Sequence, residues 1–189
     1  RSRGLGDVYK RQPEVLISRF GLIQLMEPPS VTIDSPACSW QTTTGMGAPS
    51  MLIYATELCR EYGCKKLLRL GTAGATQEHI QLGDIILSQG ISTTSAINDY
   101  ALPGHFAPIA DFGLLDKAYH LARERGCPVY VGNTLTNDHL YVENKLEYSK
   151  LWAKYGILAS EQEGVALYTA AALYGAVSYT HLTLPTILR

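Results

Sequence analysis

The sequence predicts an α/β protein in which helices flank a mixed central sheet. Short apolar runs typical of buried strands alternate along the chain with segments of helical periodicity. Glycines stand where three of the predicted helices end, at Gly63, Gly126 and Gly156. The chain has 189 residues, of which 46% are hydrophobic and 17% charged, so it is long and apolar enough for one domain with a core.

The first half of the chain predicts one helix and several strands. Residues 40–43 are expected to end a strand, and a glycine-rich turn follows them. Apolar side chains then recur at helical spacing over residues 50–62, which predicts an amphipathic helix. Residues 66–70 and 84–88 are short apolar runs, and each predicts a buried strand.

The second half of the chain continues the alternation. Residues 111–125 predict an amphipathic helix, and residues 129–133 predict the strand after it. Residues 143–154 predict a further helix, followed by a strand over residues 157–159. Residues 165–174 are rich in alanine, which predicts a buried helix.

The two ends of the chain do not share this pattern. Residues 1–12 are basic and lack a clear period, and residues 177–189 carry no charge before the final arginine. We interpret both segments as non-native tails, the alternative being that they are real edge elements. The expected fold is therefore a single domain over residues 13–176, with a sheet that is incomplete at both ends.

Composition limits the functions that the chain can have. The formal net charge is −1 and no apolar run reaches the length of a membrane span, so neither nucleic acid nor membrane is an expected partner. The five histidines are scattered, which makes a metal site unexpected. The four cysteines form no Cys-x-x-Cys pair and there is no secretory signal, so we expect reduced thiols in a cytoplasmic protein.

The strand over residues 66–70 leads into a turn suited to an oxyanion. Arg69 offers a planar fork of donors, Thr72 adds a hydroxyl, and the glycines at positions 71 and 74 let backbone N–H groups approach a ligand. Phosphate is the simplest such oxyanion. The alternative is an ordinary turn after a strand.

Two carboxylates follow the strand over residues 157–159. Glu161 and Glu163 are two residues apart, and in extended conformation both side chains point to one face. Such a pair suits a vicinal diol, general acid–base catalysis or a divalent metal. The alternative is a solvated strand end, or a first helical turn in which acids favour the helix dipole. Ligands of open α/β sheets gather at the carboxyl ends of strands, so Arg69 and these carboxylates are expected in one site.

Four segments in register, residues 44–58, 62–75, 105–112 and 154–168, resemble the nucleoside phosphorylase family. Within it they are most similar to the bacterial, low-molecular-mass, hexameric purine branch, over roughly residues 40–176. The resemblance implies the phosphorylase/hydrolase fold and the phosphorolysis of nucleosides to free base and pentose 1-phosphate. It also implies nucleoside and inorganic phosphate as co-substrates, no other cofactor, and a homohexamer built as a trimer of dimers.

The resemblance also implies roles for individual residues. Arg69 and Thr72 correspond to phosphate ligands, and Glu163 to the carboxylate that holds the ribose hydroxyls. Arg69 and Glu163 are therefore the expected catalytic residues. The expected substrate-binding residues are Met46, Ala73, Gly74, Leu140, Tyr141, Ser160, Glu161, Gln162 and Glu163.

Several departures from the family pattern leave alternatives open. Leu140 stands where an aromatic residue normally stacks on the base, and Gln162 stands where the family usually has methionine. Residues 177–189 contain no counterpart of the aspartate that protonates the purine. We therefore expect a fragment with little activity of its own. Uridine phosphorylase, a nucleosidase, a degenerate nucleoside-binding protein and a structural module without a ligand are the alternatives.

Overall fold

A computed structural model describes residues 44–184 of the chain. Helices and strands alternate through this part, as the sequence predicts. In chain order the elements are α1 (Ala48–Arg60), β1 (Lys66–Thr72), β2 (Gly74–Ala75), β3 (Ile85–Thr93), α2 (Ile97–Ala101), α3 (Phe112–Glu124), β4 (Val129–Thr136), α4 (Lys145–Ala153), β5 (Ala159–Glu161), α5 (Gly164–Leu173) and β6 (Val177–Thr183).

The strands form a single mixed sheet in the order β1-β6-β3-β4-β5-β2. Strand β1 is parallel to β6, and β3, β4 and β5 are parallel to one another. The pairs β6–β3 and β5–β2 are antiparallel. The predicted α/β class with a mixed sheet is confirmed. Strand β2 begins two residues after β1 ends and pairs with β5, which brings the ends of β1 and β5 into the region of the candidate site.

Helix α5 forms the centre of one core. It is apolar on all sides, and its residues from Gly164 to Ala171 are buried, as expected of a helix enclosed by other elements. Helix α1 packs against it through Met51, Ala55 and Cys59, which are spaced four residues apart and lie on one face. A second cluster lies around the sheet and includes Ala73, Ile80, Ile86, Ala159, Leu182 and Leu184.

A tyrosine of α5 completes the sheet where β3 bends. The register between β3 and β4 shifts between Ser88 and Gly90, and the β3–β6 ladder stops at the pair Ser88–Thr180. The hydroxyl of Tyr168 donates to the Ser88 carbonyl at 2.6 Å and accepts from the Thr180 N–H at 3.1 Å. Burial raises the pKa of Tyr168 to about 12, so the hydroxyl stays protonated at neutral pH.

The structure differs most from the sequence interpretation at strand β6. Val177–Thr183 lies in the sheet between β1 and β3, whereas the sequence analysis places residues 177–189 beyond a domain that ends at residue 176. That these residues are non-native stays a prediction. Residues 178–182 are all buried, and a strand buried on both faces lacks the alternation of polar and apolar residues that marks a half-exposed strand. The predicted tail over residues 1–12, the strand end over residues 40–43 and the start of the domain lie outside the described residues.

Other differences are smaller. The strand expected over residues 157–159 lies at Ala159–Glu161, and β4 extends to Thr136, three residues beyond the expected end. The two-residue strand β2 and the one-turn helix α2 were not predicted, because elements this short carry too few residues to show a period.

Candidate functional site

Arg69 lies between two carboxylates at the centre of the candidate site. Side chains alternate along β1, so Leu67 and Arg69 point into the fold while Leu68 and Leu70 are exposed. The Nη1 atom of Arg69 is 3.0 Å from Glu161 Oε2, and its Nη2 atom is 2.5 Å from Glu163 Oε2. Only 10% of the arginine side chain is exposed. The predicted meeting of Arg69 with both carboxylates is therefore found in the structure.

Gly71 makes room for the arginine. A Cβ atom built at this position would lie 2.8 Å from both Cζ and Nη2 of Arg69. Non-bonded carbon atoms pack best at about 3.5–4.0 Å, so any side chain here displaces the guanidinium group. The glycine that the sequence places two residues after Arg69 therefore fixes where the positive charge lies.

Glu161 is the buried member of the pair. Its side chain is fully buried, and its Oε2 accepts the N–H groups of Glu163 at 2.8 Å and Gly164 at 2.7 Å. These N–H groups open helix α5, where an anion is favoured by the helix dipole. The hydroxyl of Thr136, at the end of β4, donates to Oε1. Glu161 therefore joins β4, α5 and Arg69.

Glu163 is the more accessible member of the pair. It stands at the N-cap of α5, and 12% of its side chain is exposed. Its Oε1 accepts the N–H of Gly47 at 2.7 Å, and its Oε2 faces Arg69. Gly47 has a φ of 89°, a conformation that favours glycine, and it is the N-cap of α1. The turn before α1 thus reaches Glu163 through the backbone.

Several other predicted residues lie around this cluster. Met46 precedes the Gly47 N–H that binds Glu163, and 82% of it is exposed. Gly74 of β2 pairs with Ser160 of β5, and Ala73 before it is buried. The structure therefore places Ala73, Gly74 and Ser160 together. Of these, Ser160 directly precedes Glu161 in the chain. Gln162 lies in the turn between β5 and α5 and is half-buried.

Three predicted residues are less closely placed. Thr72 is exposed, and the alternation along β1 puts its side chain on the opposite face of the strand from that of Arg69. Leu140 is 49% exposed and Tyr141 is 92% exposed. Tyr141 borders a cavity of about 390 Å³ beside the end of β4, which is also lined by Thr94, Asn137, His139 and Tyr148.

Four residues act on the cluster in ways that the sequence did not predict. Thr136 donates a side-chain hydrogen bond to Glu161, and Thr180 Oγ1 accepts one from Arg69 Nη1 at 3.2 Å. Gly47 acts through its backbone N–H, and Gly71 acts through its lack of a side chain. Thr136 follows the predicted strand over residues 129–133, so a hydroxyl near a strand end was the available signal. No such signal marked Thr180, because the sequence analysis excluded residues 177–189 from the fold.

The described residues hold neither a metal-type cluster nor a membrane-spanning helix. Between residues 44 and 184, no three His, Cys, Asp or Glu side chains are grouped as they would be around a metal ion. None of the helices in this range is both long and apolar enough to cross a membrane.

The mixed sheet and the polar cluster at its strand ends place the chain among α/β proteins whose sites form at the carboxyl ends of strands. Its sequence matches the family described as the Phosphorylase superfamily over residues 40–184. The chain therefore belongs to the phosphorylase superfamily, which confirms the family resemblance.

Curated relatives define the similarity more closely. The chain is 50% identical over 141 residues to the purine nucleoside phosphorylase DeoD-type of Alkaliphilus metalliredigens, a match that covers 74% of the chain and 60% of the relative. It is 49% identical over 142 residues to the enzyme of the same name from Clostridium perfringens, with 75% and 60% covered. The chain thus spans about 60% of the length of the curated relatives it matches.

Solved structures give the same fold. A uridine phosphorylase from Vibrio fischeri superposes with a TM-score of 0.72 at 32% sequence identity, over 77% of this chain and 60% of that one. The same enzyme complexed with 6-hydroxy-1-naphthoic acid also superposes with a TM-score of 0.72, at 31% identity and over 77% and 59% of the two chains.

Proposed function

We propose that this chain is part of a purine nucleoside phosphorylase. The reaction is the reversible phosphorolysis of purine ribo- or deoxyribonucleosides to free base and pentose 1-phosphate. One observation carries the proposal: Arg69 lies directly against Glu163 at the strand ends, in a chain about half identical to named purine nucleoside phosphorylases. A cation for phosphate and a carboxylate for sugar hydroxyls are thereby neighbours.

The chemistry follows from these two charges. A phosphate oxygen forms a bond to C1′ of the sugar while the bond from C1′ to the base nitrogen breaks, and the bonding electrons leave with the base. Arg69 holds the phosphate beside the cationic carbon, and Glu163 fixes the sugar through its hydroxyls. A charge-assisted hydrogen bond of this kind contributes about 1.5–3 kcal/mol. Holding both reactants in place lowers the barrier further.

The remaining predicted residues keep the roles that the family resemblance implies for them. Met46 packs on the sugar, since it adjoins the Gly47 N–H that binds Glu163. Ala73, Gly74 and Ser160 border the base, and Leu140, Tyr141 and Gln162 complete the nucleoside site. Thr72 stays the proposed second phosphate ligand, with its side chain on the opposite face of β1 from that of Arg69.

Further properties belong to the same proposal. We infer a role in purine salvage, a cytoplasmic location and a homohexamer made as a trimer of dimers. The exposed apolar side chains Leu146 and Leu151 on helix α4 support contact between subunits. Phosphate is the co-substrate, and no further cofactor is needed. The chain alone is expected to have little activity, because loss of a general acid costs about 10²–10⁴-fold in rate.

Uridine phosphorylase is the second candidate function. The observation that favours it is the superposition on the Vibrio fischeri uridine phosphorylase at a TM-score of 0.72. The higher identity to curated purine enzymes, 46–50% against 32%, favours the purine reaction.

The test is release of base from inosine, adenosine and uridine, each with and without phosphate. It uses this chain beside a version extended to the length of its relatives. We expect the extended protein to release purines only when phosphate is present. Faster release of uracil would favour uridine phosphorylase, and release without phosphate would indicate a nucleosidase. Nucleoside binding without release by the extended protein would indicate a non-catalytic binding protein.

A matched pair of variants assigns the reaction to the site. Arg69→Gln is expected to abolish the phosphate-dependent release of base, because it deletes the guanidinium between the carboxylates. Arg60→Gln removes the same charge from the exposed end of α1 and is expected to leave the rate unchanged.

A further inference from the structure

The fork of donors that would bind phosphate is already engaged by the protein. Nη1 of Arg69 faces Glu161 at 3.0 Å and donates to Thr180 at 3.2 Å, while Nη2 faces Glu163 at 2.5 Å. An arginine binds a phosphate most strongly through two parallel N–H bonds. A phosphate that takes both terminal nitrogens of Arg69 must therefore compete with the carboxylates for them.

The charges of the cluster also oppose an anion. Two carboxylates face one guanidinium, so the three side chains together carry a formal charge of −1. Their exposed fractions are 10% for Arg69, 0% for Glu161 and 12% for Glu163, so water screens these charges weakly. Phosphate competes better for the guanidinium once one carboxylate has turned to another partner.

Glu163 is the carboxylate that a ligand can separate from Arg69. Glu161 is fixed by the Thr136 hydroxyl and two N–H groups of the α5 terminus. Glu163 has one backbone donor, the N–H of Gly47, besides the arginine, and it is partly exposed. A vicinal diol donates two hydrogen bonds to a carboxylate and so competes directly with Nη2 of Arg69.

We propose that the sugar, by binding Glu163, releases Arg69 for phosphate, so that nucleoside and phosphate bind cooperatively. This inference rests on the proposed function and specifies how the two substrates are coupled. Binding free energies are reciprocal, so phosphate raises the affinity for nucleoside by the same factor. The sugar then breaks the ion pair between Arg69 and Glu163 and leaves the guanidinium free for phosphate.

The first test measures anion affinity with and without nucleoside. Sulfate is titrated calorimetrically into the whole chain, because it has the tetrahedral oxyanion shape of phosphate. The titration is repeated with saturating inosine. We expect inosine to raise the sulfate affinity about tenfold, within the usual range for coupled sites. Unchanged sulfate affinity in the presence of inosine overturns the proposal, and this comparison requires no substitution.

The second test removes the competing charge. Glu163→Gln is expected to raise the sulfate affinity about tenfold without nucleoside, to a value that inosine no longer changes. Glu124→Gln, which removes one negative charge from the exposed end of α3, is the matched control and should leave the affinity unchanged. Circular dichroism verifies that both variants are folded. Equal or weaker sulfate binding by folded Glu163→Gln overturns the proposal.

A third variant separates this inference from the proposed function. If Arg69→Gln abolishes sulfate binding while inosine and Glu163→Gln have no effect, the phosphate site stands and only the coupling is overturned. If Arg69→Gln binds sulfate as well as the unchanged chain does, or if no form binds it, the phosphate site itself is wrong. The coupling then fails with it.

Discussion

Replacing Glu161 by alanine tests whether this carboxylate holds the site together. Its two oxygens accept the Thr136 hydroxyl and the N–H groups of Glu163 and Gly164, and they also face Arg69. A buried donor left unpaired costs about 1–3 kcal/mol, and breaking a buried ion pair from one side costs about 3–5 kcal/mol. These losses overlap, so we expect Glu161→Ala to lower the free energy of unfolding by about 3–5 kcal/mol.

The assay is equilibrium urea unfolding of the chain, with Glu163→Ala as the matched control. Glu163 has one backbone donor, and without this carboxylate Arg69 stays paired with Glu161, so its removal is expected to cost only about 1–2 kcal/mol. The difference between the two variants is a large fraction of the total stability of a typical protein, which is about 5–15 kcal/mol. Equal losses for the two variants, or a loss below about 1 kcal/mol for Glu161→Ala, would refute the structural role of Glu161.

Three further predictions concern other parts of the fold. Tyr168→Phe leaves a buried carbonyl and a buried N–H without their hydroxyl partner, so it should lower the free energy of unfolding in urea by about 2–4 kcal/mol. Tyr155→Phe, at an exposed position, is the control and should lower it by almost nothing. Gly71→Ala displaces the guanidinium of Arg69 from its two carboxylates, so it should weaken sulfate binding and also lower the stability in urea; equal affinity would contradict this. Burial lowers the pKa of His181 to about 4, against about 6.5 in the unfolded chain, so stability falls by up to about 3 kcal/mol as the pH drops from 6.5 to 4. In His181→Leu, the free energy of unfolding should no longer show this fall across the same pH range.

The centre of the candidate site was largely predictable from the sequence. Arg69 follows an apolar run and precedes a glycine turn, and the two glutamates follow another strand, so strand-end placement was enough to bring them together. The different burial of the two carboxylates was not predictable. An extended chain puts Glu161 and Glu163 on one face, but β5 ends at Glu161 and α5 begins after Glu163. The turn between them buries the first carboxylate and leaves the second accessible.

The contribution of β6 was missed for a physical reason. Its residues are buried on both faces and include polar side chains whose partners lie far away in sequence. Thr180 contacts Arg69 and the hydroxyl of Tyr168, and neither contact leaves a local pattern. Pairing between distant strands is decided by the whole sheet, so a segment without alternation gives no signal on its own.

The most direct test of the proposed reaction is identification of the sugar product by ³¹P NMR. Inosine and phosphate are supplied to a protein extended to the length of its relatives, and Arg69→Gln serves as the variant without the guanidinium. We predict a new phosphate ester signal from ribose 1-phosphate that grows as free base is released and that is absent in Arg69→Gln. If base is released and free ribose accumulates while the inorganic phosphate signal stays unchanged, phosphorolysis is contradicted.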